Sequence, residues 1–103
     1  MNPSAWWLRQ VTYSKREVAG ILRGMSSANL DNKNTQVRLI DVLRAVGQLT
    51  DKQREAVFLI DVCHLHQEEA ADYCNITQQS MWERHNRGIL NVVNYLNGET
   101  YTK

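Results

Sequence analysis

The chain is poor in the residues that turn a backbone: it has one proline and five glycines in 103 residues. A many-stranded sheet draws on such residues at every turn, so their scarcity disfavours a sheet protein. No stretch approaches the roughly 18 consecutive apolar residues of a membrane span. The opening MNPSAWWLRQ has no basic start leading into an apolar run, so no export signal is read and a cytoplasmic protein is predicted. In that compartment the two cysteines, Cys63 and Cys74, are expected as free thiols. A glycine-rich phosphate loop is missing, as is any grouping of nucleophile, acid and base, so the chain is not expected to be an enzyme or to need a cofactor. Cys63, His64, His66, Cys74 and His85 lack the paired C-x-x-C spacing of a structural zinc site, and no metal is predicted.

What is present favours helices. A hydrophobic content of 43% suffices for a modest core in one small domain. The net charge is +1, and its distribution is uneven. Residues 1–49 carry seven Lys/Arg against three Asp/Glu, and residues 50–103 carry five against eight. A basic half and an acidic half point to two different tasks or to the two sides of one electrostatic contact. The small total argues against coating nucleic acid by charge alone.

The predicted fold class is all-α, a small helical bundle with a C-terminal helix-turn-helix. Residues 1–47 read as an N-terminal arm, with Trp6 and Trp7 expected to pack, followed by a helical pair. Ser14 and Glu17 have capping-box spacing before a helix from Lys15 to about Met25, with Val18, Ile21, Leu22 and Met25 on one face. A Ser/Asn/Asp-rich loop is read from Met25 to Asn34. A second helix is expected from about Thr35 to Val46, with Val37, Ile40, Leu43 (or Leu39) and Val46 inward and Gly47 as its stop. Residues 48–103 read as a second unit. Thr50 and Gln53 form another capping box, and Ala56, Val57, Leu59, Ile60 and Cys63 give the helix after it an apolar side. A short helix is predicted over about Gln67–Tyr73, and a long one from Gln78 to about Asn97, with Thr77 as N-cap and Gly98 as stop.

The join between the last two helices is the most informative stretch. Ala70 and Ala71 are small enough for a close helix crossing. Asn75 tolerates a left-handed backbone, Ile76 can plug the core, and Met81 can anchor the second helix one turn in. Residue type and spacing agree at each position with a helix-turn-helix. With Met81, Gly88 and Val92 inward, the opposite side of the last helix carries Gln79, Glu83 and Asn86, flanked by Trp82 and Arg87.

The segments Leu49-Thr50-Asp51-Lys52-Gln53-Arg54-Glu55, Gln67-Glu68-Glu69-Ala70-Ala71, Ile76-Thr77 and Ser80-Met81 resemble region four of bacterial sigma factors. That module reads the −35 promoter element, and small phage and mobile-element regulators of the ArpU type are similar. The resemblance covers Leu49 to Leu96. It implies a sequence-specific transcription regulator of phage or mobile-element origin whose last helix enters the major groove of double-stranded DNA. The base-contact candidates it implies are Gln78, Gln79, Trp82 and Glu83, to which helical geometry adds Asn86. Gln and Asn suit adenine, and Glu can accept from cytosine. Lys52, Arg54, Arg84 and Arg87 are the expected phosphate contacts, with backbone donors at Thr77. Trp82 stands where sigma factors usually carry Arg, and Arg84 where they carry an apolar residue. Nothing resembles the region that melts the −10 element, so a complete sigma factor is not expected. One reading head binds weakly, which implies a homodimer or help from RNA polymerase, and Leu90 with Val93 offers a dimer seam. Two alternatives stay open. One is a protein–protein module that meets RNA polymerase or a host regulator through Glu68, Glu69 and Asp72. The other is the DNA-recognition part of a small terminase subunit.

Overall fold

The computed structural model describes residues 13–26 and 33–98. Trp6 and Trp7 lie outside that range, as does most of the expected loop from Met25 to Asn34. Within it the order is α1 (Lys15–Arg23), a 3-10 turn (Gly24–Ser26), α2 (Lys33–Gly47), α3 (Asp51–Val57), a π-helical turn (Phe58–Val62), α4 (Gln67–Cys74) and α5 (Gln78–Leu96). No strand occurs among the described residues. The all-α class is thus the observed one.

Side-chain caps fix most of the helix starts. The Ser14 hydroxyl accepts from the Glu17 backbone N–H at 3.1 Å, and the hydroxyl also donates to the Glu17 carboxylate at 3.5 Å. Thr50 and Gln53 form the complete reciprocal box, with Gln53 N–H to Thr50 Oγ1 at 3.3 Å and Thr50 N–H to Gln53 Oε1 at 3.4 Å. At α4 the His66 N–H donates to Glu69 Oε1 at 3.0 Å. The sequence pattern does not flag this cap, because histidine is not among the usual N-cap residues. Helix α2 begins at Lys33, before the expected Thr35.

Two buried clusters hold the bundle. The larger joins Val18 and Leu22 of α1, Val42 and Ala45 of α2, Leu49, Val57 of α3, and Ile89 and Val92 of α5. The smaller joins Ala56 and Leu59 to Ala70 and Ala71 of α4 and Met81 of α5, with Ile76 packed against it. Where α3 crosses α5, a Cβ on Gly88 would stand 2.8 Å from Val57 Cγ2 and 3.2 Å from the Gln53 carbonyl oxygen. Only hydrogen at that position admits such a close approach. Beside the crossing, Asn91 Nδ2 donates to Gln53 Oε1 at 3.3 Å, which satisfies two buried amides together.

Two packing expectations are corrected. Ile40 and Leu43, expected inward, are 50% and 41% exposed. Helix α2 instead turns the small side chains of Val42 and Ala45 fully inward, which lets it lie close against its neighbours. Cys63, expected on the apolar side of α3, is exposed. The cause is the π-helical turn, in which the Cys63 N–H bonds to the Phe58 carbonyl at 2.9 Å, five residues back. The wider turn changes the facing within this short segment, although Leu59 stays buried as expected. Phe58 becomes 51% exposed and Asp61 becomes fully buried.

Candidate nucleic-acid interface

The turn from α4 to α5 is built as a sharp corner. Asn75 adopts φ 56° and ψ 47°, the left-handed conformation that stops α4. The Ile76 N–H closes back onto the Ala71 carbonyl at 3.0 Å, and the Thr77 hydroxyl accepts from the Ser80 N–H at 3.1 Å to open α5. Ala70, Ala71 and Met81 are essentially inaccessible, so the second helix is anchored one turn in against the small residues of the first. Gln67 Nε2 donates to the Gln78 carbonyl at 3.1 Å and ties the starts of the two helices together. These features define a helix-turn-helix.

The opening turns of α5 are open to solvent. Gln78, Gln79 and Glu83 are exposed, Trp82 is 52% exposed, and Asn86 is half-buried. Beside them a cleft of about 400 Å³ separates the start of α3 from α5. Thr50, Lys52, Gln53, Ser80, Glu83, Arg84 and Arg87 line it. Three of the four expected phosphate-contacting side chains are therefore gathered on one flank of the exposed face. The fourth, Arg54, is placed elsewhere: its Nη2 donates to the Leu49 carbonyl at 2.9 Å and its Nη1 lies 3.3 Å from Asp51 Oδ1. The Thr77 hydroxyl is itself a donor to Ser80 Oγ at 3.0 Å.

Behind the exposed face lies a charged contact that the sequence pattern does not predict. His85 Nε2 of α5 is 2.7 Å from Oδ2 of the buried Asp61, and Arg23 Nε of α1 is 3.4 Å from Oδ1. That Oδ1 lacks a hydrogen bond in good geometry. The available signal was a carboxylate inside the apolar run Phe58-Leu59-Ile60-Asp61-Val62. Cys74, near the corner, donates its thiol to Glu55 Oε1 at 3.2 Å. Burial first, and that hydrogen bond second, push its pKa up and keep it a thiol. Leu90 is half-buried, and Val93 packs against the larger core cluster.

Fold and corner together define a helix-turn-helix protein. A family model described as sigma-70, region 4 matches residues 39–91, just over half of the chain. The chain belongs to the sigma-70 region 4 family, a DNA-binding helix-turn-helix module with a transcription-related role. No curated protein and no solved structure matches it. No helix among the described residues is long and apolar enough to cross a membrane.

Proposed function

We propose that this chain is a sequence-specific DNA-binding transcription regulator, with α5 as the helix that enters the major groove. The observation that carries this reading is the pairing of an anchored, solvent-open helix start with a cleft of Lys52, Arg84 and Arg87 beside it. A helix in the groove needs polar side chains for base edges and cations for the adjacent phosphates. Gln78, Gln79, Trp82, Glu83 and Asn86 take the first role. Lys52, Arg84 and Arg87 take the second, with backbone donors near Thr77. Arg54 keeps its bond to the Leu49 carbonyl. One such head covers a short site, so a second copy or RNA polymerase supplies the remaining affinity. Resemblance to small phage and mobile-element regulators supports an origin of that kind.

Selection from random DNA, followed by titration of the selected site, tests the reading. Gln79→Ala and Glu83→Ala are expected to relax preference at single base pairs by about 1–3 kcal/mol. Lys52→Ala and Arg87→Ala are expected to weaken binding to all sequences and to lower the salt slope by about 1 each. If all four variants bind and discriminate like the parent chain, α5 is not the reading helix.

A second reading rests on Glu68, Glu69 and Asp72, all exposed on α4. That acidic surface suits a basic protein partner and repels phosphate. Capture of RNA polymerase in a pull-down, together with no DNA binding in a gel-shift assay with promoter-containing fragments, favours this reading over the first.

A further inference from the structure

Helix α1 lies outside the matched segment 39–91, yet it packs along α5 and shares its core. Its first residue reaches the exposed side of α5, where Lys15 Nζ donates to Asn86 Oδ1 at 3.3 Å. Seven residues along an α-helix return to nearly the same side, within roughly 20°. Arg16 therefore stands two turns before Arg23 on the side of α1 that meets Asp61, the carboxylate bonded to His85 of α5. Lys15 and Arg16 are both exposed.

The two flanks of α5 carry different neighbours. Residues follow one another by roughly 100° around a helix. With Glu83 at the centre of the exposed face, Ser80, Arg84 and Arg87 fall on one side, and Trp82, His85 and Asn86 on the other. The first flank carries the cleft with Lys52. The second carries α1, with Lys15 at Asn86.

A helix seated in a major groove about 12 Å wide has a phosphate backbone on each side of it. We infer that Lys15 and Arg16 of α1 contact the sugar–phosphate backbone on the flank of α5 opposite the Lys52–Arg84–Arg87 cleft, so that the two helices clamp both walls of the groove. This rests on the reading of α5 as the groove helix. It gives the uneven charge of the chain a purpose, because the basic first half supplies the cations that the acidic second half lacks on this flank. It also accounts for a local oddity. Lys15 and Arg16 occupy the first turn of α1, where the helix dipole disfavours positive charge, so both oppose the stability of their own helix. Residues that violate a local preference are expected where function requires them.

This oddity makes the test sharp, because folding and binding should move in opposite directions. Lys15→Glu and Arg16→Glu, singly and together, are measured by urea unfolding and by anisotropy titration of labelled duplex DNA at several salt concentrations. Lys52→Ala serves as the marker for the opposite flank. The expected result is an unfolding midpoint equal to or above that of the parent chain. Affinity for selected and for unrelated duplexes falls together, and the salt slope drops by about 0.9 for each phosphate that is no longer neutralised. Unchanged affinity and slope in the α1 variants, alongside weakened binding in Lys52→Ala, overturns the clamp and leaves the groove helix standing. A change in sequence preference without a change in slope also overturns it, since the two side chains would then be reading bases. If Lys52→Ala and the α1 variants all bind like the parent chain, the groove reading falls, and the clamp with it.

Discussion

Asp61 Oδ2 and His85 Nε2 lie 2.7 Å apart, with the carboxylate fully buried and the imidazole side chain 22% exposed. This contact joins the π-helical turn after α3 to α5. Arg23 approaches the other carboxylate oxygen from α1, so a single side chain holds three elements in register.

Removing His85 leaves the buried Asp61 carboxylate without this partner, and removing Asp61 leaves a part-buried imidazole without its match. Asp61→Ala and His85→Ala are each expected to cost about 2–5 kcal/mol of folding stability. Replacing both by leucine should recover much of that loss, since Arg23, left without Asp61, is 58% exposed and can be solvated. Urea unfolding of the two single variants and the double variant checks this. Single losses below about 0.5 kcal/mol, the size of an ordinary surface change, would show that the contact is idle.

Two glycines make opposite forecasts. At Gly88 a methyl group would press on Val57 and on the Gln53 carbonyl, and the latter is backbone that cannot step aside. Gly88→Ala is expected to lose about 1–3 kcal/mol through overpacking, more than the helix preference for alanine returns. At Gly20 nothing lies within 4 Å of the added carbon. Gly20→Ala should therefore stabilise α1 by about 0.4–1 kcal/mol. Thermal melts of the two variants should move in opposite directions.

The corner residue Asn75 holds a left-handed backbone at φ 56°. Asn75→Ala is expected to cost roughly 1 kcal/mol, because alanine keeps the Cβ that crowds a carbonyl in that conformation but lacks the short polar side chain that offsets the cost. Asn75→Gly removes the crowding and should match or exceed the parent chain in stability. Equal melting temperatures for the two variants would mean that the corner relaxes to a different turn.

The corner was legible because each of its requirements is local: small residues for the crossing, Asn75 for the angle, Thr77 for the cap and Met81 for the anchor. The inward face of α2 was not. Ile40 and Leu43 are larger and more apolar than Val42 and Ala45, so pattern reading ranks them first. The choice among them is made by how closely α1 and α5 approach, which is a tertiary fact. Asp61 was hidden for a different reason. It lies in a π-helical turn, where a reading at 3.6 residues per turn drifts locally, and pattern reading does not place a carboxylate inward. Lys15 could not be linked to Asn86 from spacing, since 71 residues separate them.

The larger core cluster also governs the order in which the molecule can be assembled. Val18 and Leu22 are buried against a cluster that includes Ile89 and Val92. During synthesis α1 emerges dozens of residues before α5 exists to cover it. Val42 and Ala45 of α2 can cover part of the apolar side of α1 earlier, and the rest stays solvated until α5 leaves the ribosome. Nascent chains halted before α5 should therefore be protease-sensitive throughout, and resistance should arrive in one step when that helix becomes free to dock.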